Sequence, residues 1–248
     1  MRMIFTREGL LCPQSSIFNP QFSVLDRLSL YMFFGTVIGA RLGHCLFYEP
    51  DYYLQNPLEI LQTWKGGLAS HGAAVGIMAA LYIFSRVEKL SYLWILNRMA
   101  IVVALSCFLI RIGNLMNSEI FGIPTNLPWG FKFVNSWEWE RGLISEACHP
   151  TQIYEALAYL TIFILLLRNY FVSLNSQFSI FNSQSFGIFL FSLFTVRFLI
   201  EFLKTSQVSF EKGMWLNMGQ LLSIPFIICG IYLLWLKNQI KEEKYQPS

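Results

Sequence analysis

Charged residues are scarce in this chain: Asp, Glu, Lys and Arg make up only 13% of its 248 residues, about half of the share in a soluble domain. Hydrophobic residues make up 54%, aromatic residues 17%, and the mean hydropathy is +0.47. A soluble monomer of this composition would expose large apolar patches. The composition therefore excludes a disordered chain and predicts that lipid surrounds much of the protein.

Other features are missing too. The five cysteines show no paired spacing, which excludes a disulfide scaffold and indicates apolar packing for each thiol. No His-Glu-x-x-His, P-loop or Gly-x-Ser-x-Gly motif occurs, so metalloprotease, ATPase and hydrolase-elbow chemistry lack support. A net charge of +3, spread along the chain, is too small to indicate a nucleic-acid partner.

Long apolar segments are what the chain does contain, and about 20 such residues cross the hydrocarbon core. No alternating pattern of the kind a membrane barrel needs is visible. The predicted fold class is all-α: a polytopic transmembrane helical bundle of about six spans, forming a single integral membrane domain over 1–248. The predicted spans are 28–48, 67–85, 93–113, 150–171, 185–204 and 216–236.

Lys and Arg are unevenly divided between the predicted loops, and cytoplasmic loops are the richer in both. Both termini are predicted to be cytoplasmic, 1–27 to be a cytoplasmic segment, and 114–148 to form a small extracytoplasmic cap. Nine of these residues lie in 1–27, 86–92, 168–184 and 237–248, and five lie in or beside 49–66, 114–148 and 205–215.

Four arginines lie inside or at the edge of apolar segments, where each costs at least ~2.5 kcal/mol at the bilayer centre. For Arg98, extension of the guanidinium to the membrane surface is favoured over a functional role. Arg41 lies between Gly39 and Gly43, a setting that suits substrate binding and helix anchoring equally well. Arg111 is followed by Asn114 on the same helical face, and its planar fork suits two oxygens of a phosphodiester.

Each of the two strongest arginine candidates has a structural alternative. Arg111 could instead form a buried pair with Glu119. Arg197 and Glu201 stand four residues apart and could form an ion pair within one helix. A second arginine at membrane depth is also what a two-armed phosphate clamp requires.

Histidine is the side chain whose ordinary pKa lies near neutrality. His71 lies between the glycine-rich stretch 66–70 and Gly72, where a ligand could reach its ring, although a purely structural role is equally compatible. His149 precedes Pro150, with Tyr154 and Glu155 following, and either a catalytic role or a hydrogen-bonded helix start fits it.

Taken together and in order, from about residue 24 to residue 236, these stretches resemble the bacterial prolipoprotein diacylglyceryl transferase family. The family usually has seven spans, and this sequence resembles a member that lacks the first. The family's His-Gly-Gly reads His71-Gly72-Ala73 here, and Ile123 stands where many members carry arginine. The stretches are GARLG (39–43), GGLASHG (66–72), RIGNLMNSEIFG (111–122), HPTQIYEA (149–156), RFLIEF (197–202) and MGQLLSIP (218–225).

The resemblance implies a multi-pass enzyme of the bacterial inner membrane. It would transfer diacylglyceryl from phosphatidylglycerol to the lipobox cysteine of a preprolipoprotein signal peptide, releasing glycerol phosphate without a metal or cofactor. His71, Arg111 and Arg197 would be catalytic, His71 either as a base or as a headgroup ligand. Arg111 would also bind the substrate, as would Asn114, Glu119, Gly122, Tyr154, Glu155, Glu201 and Arg41.

Other functions remain compatible with buried arginines. One is a transporter or channel for an anionic solute, which would move solute without changing a peptide's mass. Another is an assembly factor whose Arg–Glu pairs only join helices. An inactive, truncated homologue of the family is a third.

Overall fold

A computed structural model describes residues 3–4, 24–175, 184–204 and 216–243. Within these residues the chain is helical and forms no strand, only three isolated bridges. Short 3₁₀ turns cover Pro57–Leu61, Thr63–Lys65 and Glu201–Leu203. The helices are α1 (Val24–Phe47), α2 (Pro50–Gln55), α3 (Ser70–Val87), α4 (Tyr92–Met116), α5 (Trp137–Glu140), α6 (Thr151–Asn175), α7 (Ser185–Ile200) and α8 (Met218–Glu243).

Five of the six predicted spans are helices long and apolar enough to cross a membrane: α1, α4, α6, α7 and α8. The predicted second span is a shorter apolar helix, His71–Val87, because Gly66 and Gly67 have positive φ angles of 87° and 70° and the helix begins only after them. The first helix begins at Val24 instead of residue 28, and most of 1–27 lies outside the described residues. The polytopic helical bundle is confirmed, while the cytoplasmic orientation stays a prediction.

The chain divides into two compact units, Met1–Leu96 and Asn97–Ser248. In the first unit, α1 packs closely against α3 through facing glycines. A Cβ built on Gly39 would lie 2.5 Å from the Gly72 carbonyl oxygen and 2.7 Å from the Gly76 Cα. A Cβ built on Gly43 would lie 2.6 Å from the Gly72 Cα. Without these glycines, the two backbones could not approach so closely.

Gly39→Ala is therefore expected to lower the thermal stability of the detergent-solubilised protein. The added methyl group meets backbone, which has little room to yield, and overpacking of this kind costs about 2 kcal/mol, or about 4–8 °C in Tm for a chain of this size. Gly113→Ala is the matched control, because nothing lies within 4 Å of a Cβ built there. Equal melting temperatures for the two variants would contradict the packing argument.

In the second unit, α6, α7 and α8 pack side by side. Asn97 in α4 caps α7: its side-chain oxygen accepts a hydrogen bond from the Phe186 N–H (2.8 Å), one of the helix's free N-terminal donors. Arg98 is buried within the protein, with 5% of its surface exposed, and the extension of its guanidinium to the membrane surface stays a prediction.

The predicted cap follows α4 and runs to the start of α6. Its small core stacks Phe121 on Phe133 (ring centroids 4.7 Å apart) beside the buried Cys148. Burial, followed by the charge of Glu146, raises the pKa of the Cys148 thiol. This thiol is therefore protonated at neutral pH and suited to packing more than to nucleophilic chemistry.

Candidate functional site

A buried carboxylate, Glu155, is the centre of an ion-pair network in the second unit. Glu155 lies in the second turn of α6 and is fully buried. Arg111 Nε lies 2.9 Å from its Oε2, and Lys204 Nζ lies 3.0 Å from its Oε1. Tyr159, one helical turn further along α6, directs its hydroxyl group at the same Oε1 from 3.5 Å. Two cations stabilise the ionised form of this buried carboxylate, which would be strongly destabilising without them.

The network continues through Lys204 to Glu201, whose Oε2 lies 3.6 Å from Nζ. Here α7 tightens into the 3₁₀ turn Glu201–Leu203, which brings the side chains of residues i and i+3 into line. On its other side the Glu201 carboxylate packs against Gly219 at the start of α8, where a Cβ would lie 2.7 Å from Oε1. The backbone of Lys204 also forms a bridge with Gly122.

Arg111 is 9% exposed, and Asn114 is its second partner beside Glu155. In the amide orientation that satisfies both its neighbours, Asn114 accepts a hydrogen bond from Arg111 Nη1 (3.2 Å) and donates one to the Ile110 carbonyl (3.0 Å). The pairing of Arg111 with Glu119, considered from the sequence, does not form, because Glu155 takes that place and the Glu119 side chain is exposed.

Arg197 differs from Arg111 in its surroundings. It is partly buried in the last turn of α7, and no ion-pair partner for it is found in the part of the chain that the structure describes. The ion pair between Arg197 and Glu201, considered from the sequence as a structural alternative, does not form among the described residues, and Glu201 pairs with Lys204 instead. Arg197 and Arg111 both interact electrostatically with Tyr159 and Cys107, so the two guanidinium groups share one neighbourhood.

Gly122 joins the cap to this network by close approach. Its N–H donates to the His149 carbonyl (2.9 Å). A Cβ on Gly122 would lie 2.5 Å from the Leu203 carbonyl oxygen and 2.8 Å from Thr151 Cγ2. Any larger residue here would separate the cap from the turn that carries Lys204. The Glu119 carbonyl accepts a hydrogen bond from Gln152 Nε2 (2.6 Å), so Glu119 contributes through its backbone.

Tyr154, in the first turn of α6, belongs to a hydrogen-bond chain that joins this helix to Trp129 of the cap. Trp129 Nε1–H donates to the Tyr154 hydroxyl oxygen (2.9 Å), and that hydroxyl lies 3.3 Å from His149 Nδ1. Because indole N–H only donates, the tyrosine proton is available to His149 Nδ1. The helix-start interpretation of His149 fits this arrangement.

Arg41, in the first unit, is committed to backbone carbonyls. Its Nε donates to the Ile60 carbonyl (2.9 Å), Nη1 to the Gly66 carbonyl (2.7 Å) and Nη2 to the Glu59 carbonyl (2.6 Å). Its guanidinium also lies over the Tyr53 ring, 5.0 Å from the centroid. These contacts favour the anchoring role over substrate binding.

His71 is exposed in the first turn of α3. Its ring lies 5.5 Å from that of Phe47 and 5.7 Å from that of Tyr48, between centroids. His44 stacks on Tyr48 at 5.4 Å, so two imidazoles contact one phenol. Among the described residues, no group of three or more His, Cys, Asp or Glu side chains is arranged to hold a metal ion.

Three residues of this cluster, Lys204, Tyr159 and Gly219, were not predicted from the sequence. Lys204 was counted only as a loop charge, although its spacing of three residues from Glu201 was a visible signal. Tyr159 stands four residues after Glu155 and had the same kind of signal. The contact of Gly219 with Glu201 depends on tertiary packing, and no sequence pattern predicts it.

Five helices that are long and apolar enough to cross a membrane define the class of this chain as a polytopic integral membrane protein. The family model for prolipoprotein diacylglyceryl transferase matches residues 10–236. The chain belongs to this family, and a transporter or channel is not favoured.

Three relatives named phosphatidylglycerol–prolipoprotein diacylglyceryl transferase illustrate the similarity. The chain is 47% identical to the protein of Porphyromonas gingivalis, covering 88% of this chain and 80% of the relative. It is 44% identical to that of Tolumonas auensis (97% and 86%) and 44% identical to that of Chloroherpeton thalassium (90% and 80%).

Proposed function

We propose that this protein transfers the diacylglyceryl group of phosphatidylglycerol to the lipobox cysteine of a prolipoprotein in the bacterial inner membrane. A C–S bond forms at the glyceryl carbon, and the bond from that carbon to the phosphate oxygen breaks. The thiol proton passes to a base, and the bonding electron pair leaves with glycerol phosphate. Family membership supports this reaction, and the cluster around Glu155 supports its site.

The observation that carries the site is the charge balance of the cluster. Arg111 and Lys204 pair with two carboxylates, Glu155 and Glu201. Arg197, which interacts electrostatically with Tyr159 as Arg111 does, adds one positive charge that no described carboxylate balances. Fixed cations in a dry site stabilise charge that develops on a leaving group better than water does. The surplus charge suits the phosphate of the lipid, with Arg197 as its direct ligand and Arg111 held by Glu155 and Asn114.

The reaction needs a base because an ordinary thiol is mostly protonated at neutral pH. His71 fits this role as an exposed imidazole framed by Phe47 and Tyr48. An imidazolium formed by taking the thiol proton would lie near two aromatic rings, which attract cations. A role as a headgroup ligand is the second possibility for the same residue.

The test of the function is reconstitution of the purified protein with phosphatidylglycerol and a lipobox peptide. A mass gain of one diacylglyceryl group on the peptide cysteine, together with released glycerol phosphate, is the expected result. The same peptide with serine in place of cysteine is the control. An unchanged peptide mass under conditions in which the Porphyromonas gingivalis relative modifies the same peptide would contradict the proposal.

His71→Asn separates the two roles of His71. If His71 is the base, the rise in rate with pH that reports its deprotonation disappears, and turnover falls by about 10²–10⁴-fold. If it is a headgroup ligand, that limb remains and the KM for the lipid rises. His44→Asn is the control, because His44 is a second imidazole that stacks on Tyr48 and has no proposed role in the reaction. A variant with unchanged pH profile, kcat and KM would exclude both roles for His71.

A further inference from the structure

Lys204 is an unusual residue to find buried: its side chain is only 3% exposed, and lysine is almost never fully buried unless it is paired. It has two anionic partners, Glu155 at 3.0 Å and Glu201 at 3.6 Å. An ammonium group has three donors that can point in different directions, so it can serve two carboxylates that belong to different helices.

The contact with Glu201 matters because Glu201 has another natural partner. It stands four residues after Arg197, the spacing at which helical side chains of opposite charge meet. The 3₁₀ turn at Glu201–Leu203 and the packing of the carboxylate against Gly219 favour Lys204 instead. Arg197 is left without a carboxylate among residues 24–175, 184–204 and 216–243.

We propose that Lys204 is a positioning residue for phospholipid binding: by holding Glu155 and Glu201, it keeps the Arg197 guanidinium free for the lipid phosphate. This inference rests on the proposed function. Lys204 does not need to touch the substrate. Its ammonium group takes the place that Arg197 could otherwise occupy beside Glu201. It also forms the second ion pair of Glu155, in addition to the pair with Arg111.

The inference makes the effect of Lys204 specific to lipid binding. Without the ammonium, Glu201 is free to turn toward Arg197, and the phosphate then has to displace a carboxylate. That competition weakens binding of the lipid before any bond changes. It therefore raises the KM for phosphatidylglycerol more than it lowers kcat.

The experiment compares Lys204→Met, Lys204→Arg and the double variant Glu201→Gln/Lys204→Met, using phosphatidylglycerol and a lipobox peptide. Lys204→Met is expected to raise the KM for the lipid about tenfold, the equivalent of one charge-assisted hydrogen bond. Lys204→Arg keeps the charge and is expected to stay within about threefold of the original protein. The double variant also loses the competing carboxylate charge, so its KM returns toward the original value.

Three outcomes overturn the inference: a KM for Lys204→Met equal to that of the original protein, a double variant no better than Lys204→Met alone, or a fall in kcat without a change in KM. If Lys204→Met does not accumulate as folded protein, Gly219→Ala gives a second measurement. Its Cβ displaces the Glu201 carboxylate without changing any charge, and a raised KM for the lipid is again expected.

Equilibrium binding of a fluorescent phosphatidylglycerol to the same variants is measured in parallel. If the original protein transfers nothing, the proposed function fails, and the binding series still decides whether Lys204 controls access of phosphate to Arg197. If transfer occurs and all lysine variants bind the lipid equally, only the role of Lys204 is rejected.

Discussion

Replacing Arg197 with glutamine is expected to lower the turnover of diacylglyceryl transfer by at least about 100-fold while leaving the melting temperature nearly unchanged. Loss of one donor to a developing oxyanion costs about 10²–10³ in kcat. The stability effect is small because Arg197 is only partly buried and holds no carboxylate among the described residues, so its removal leaves no charge unpaired. Turnover is measured by mass spectrometry of the peptide, and stability by thermal unfolding in detergent.

Two further variants sharpen this result. Arg197→Lys keeps the charge but loses the planar fork that binds two phosphate oxygens, so its activity is expected to lie between those of the original protein and Arg197→Gln. Arg168→Gln removes an exposed arginine near the other end of α6 and should match the original protein. A fully active Arg197→Gln variant would end the assignment of Arg197 to the phosphate.

Much of the fold follows from the sequence because bilayer thickness fixes the length of apolar helices. The spans that became α4, α6 and α7 have long apolar segments, and the structure places each within a few residues of its predicted range. The start of α3 could not be predicted as well. Its preceding glycines adopt positive φ angles, a backbone property that hydropathy does not report.

The candidate site was only partly predictable, for a related reason. The cost of burying charge identified Arg111 and Arg197 as unusual residues. It did not identify the carboxylate that each arginine would contact, because the sequence offers Glu119, Glu155 and Glu201 as candidates and does not give their positions in space. Tertiary packing made the choice: Arg111 pairs with Glu155 on another helix, and Lys204 takes Glu201. Local spacing favours near neighbours: it agrees with the pair of Glu201 and Lys204, but it does not predict the pair of Arg111 with Glu155.

The same packing changes what a substitution of Arg111 measures. Because Arg111 holds Glu155, its removal disturbs the network as well as any contact with the lipid. Arg111→Lys is still expected to lower activity far more than protein level, since lysine keeps the charge and loses the fork. Near-normal turnover would remove Arg111 from the phosphate clamp.

Glu155→Gln is the substitution with the largest expected effect on stability. It takes the only full negative charge from between Arg111 and Lys204, whose nitrogens lie 2.9 Å and 3.0 Å from its oxygens. Breaking a buried pair by removing one partner costs about 3–5 kcal/mol, and here two cations lose their shared anion. A fall in Tm of about 10 °C or more is expected for a chain of this length.

The control for Glu155→Gln is Glu140→Gln, which removes an exposed carboxylate from the cap and should leave Tm within about 1–2 °C. The double variant Glu155→Gln/Lys204→Met removes one charge of each sign and is expected to regain part of the lost stability, because Lys204 no longer lacks the charge of Glu155 and the Glu201 carboxylate is free to turn toward Arg197. If Glu155→Gln has the same Tm as the original protein, Glu155 does not hold Arg111 and Lys204 together. The proposed phosphate site would then not depend on this ion-pair network.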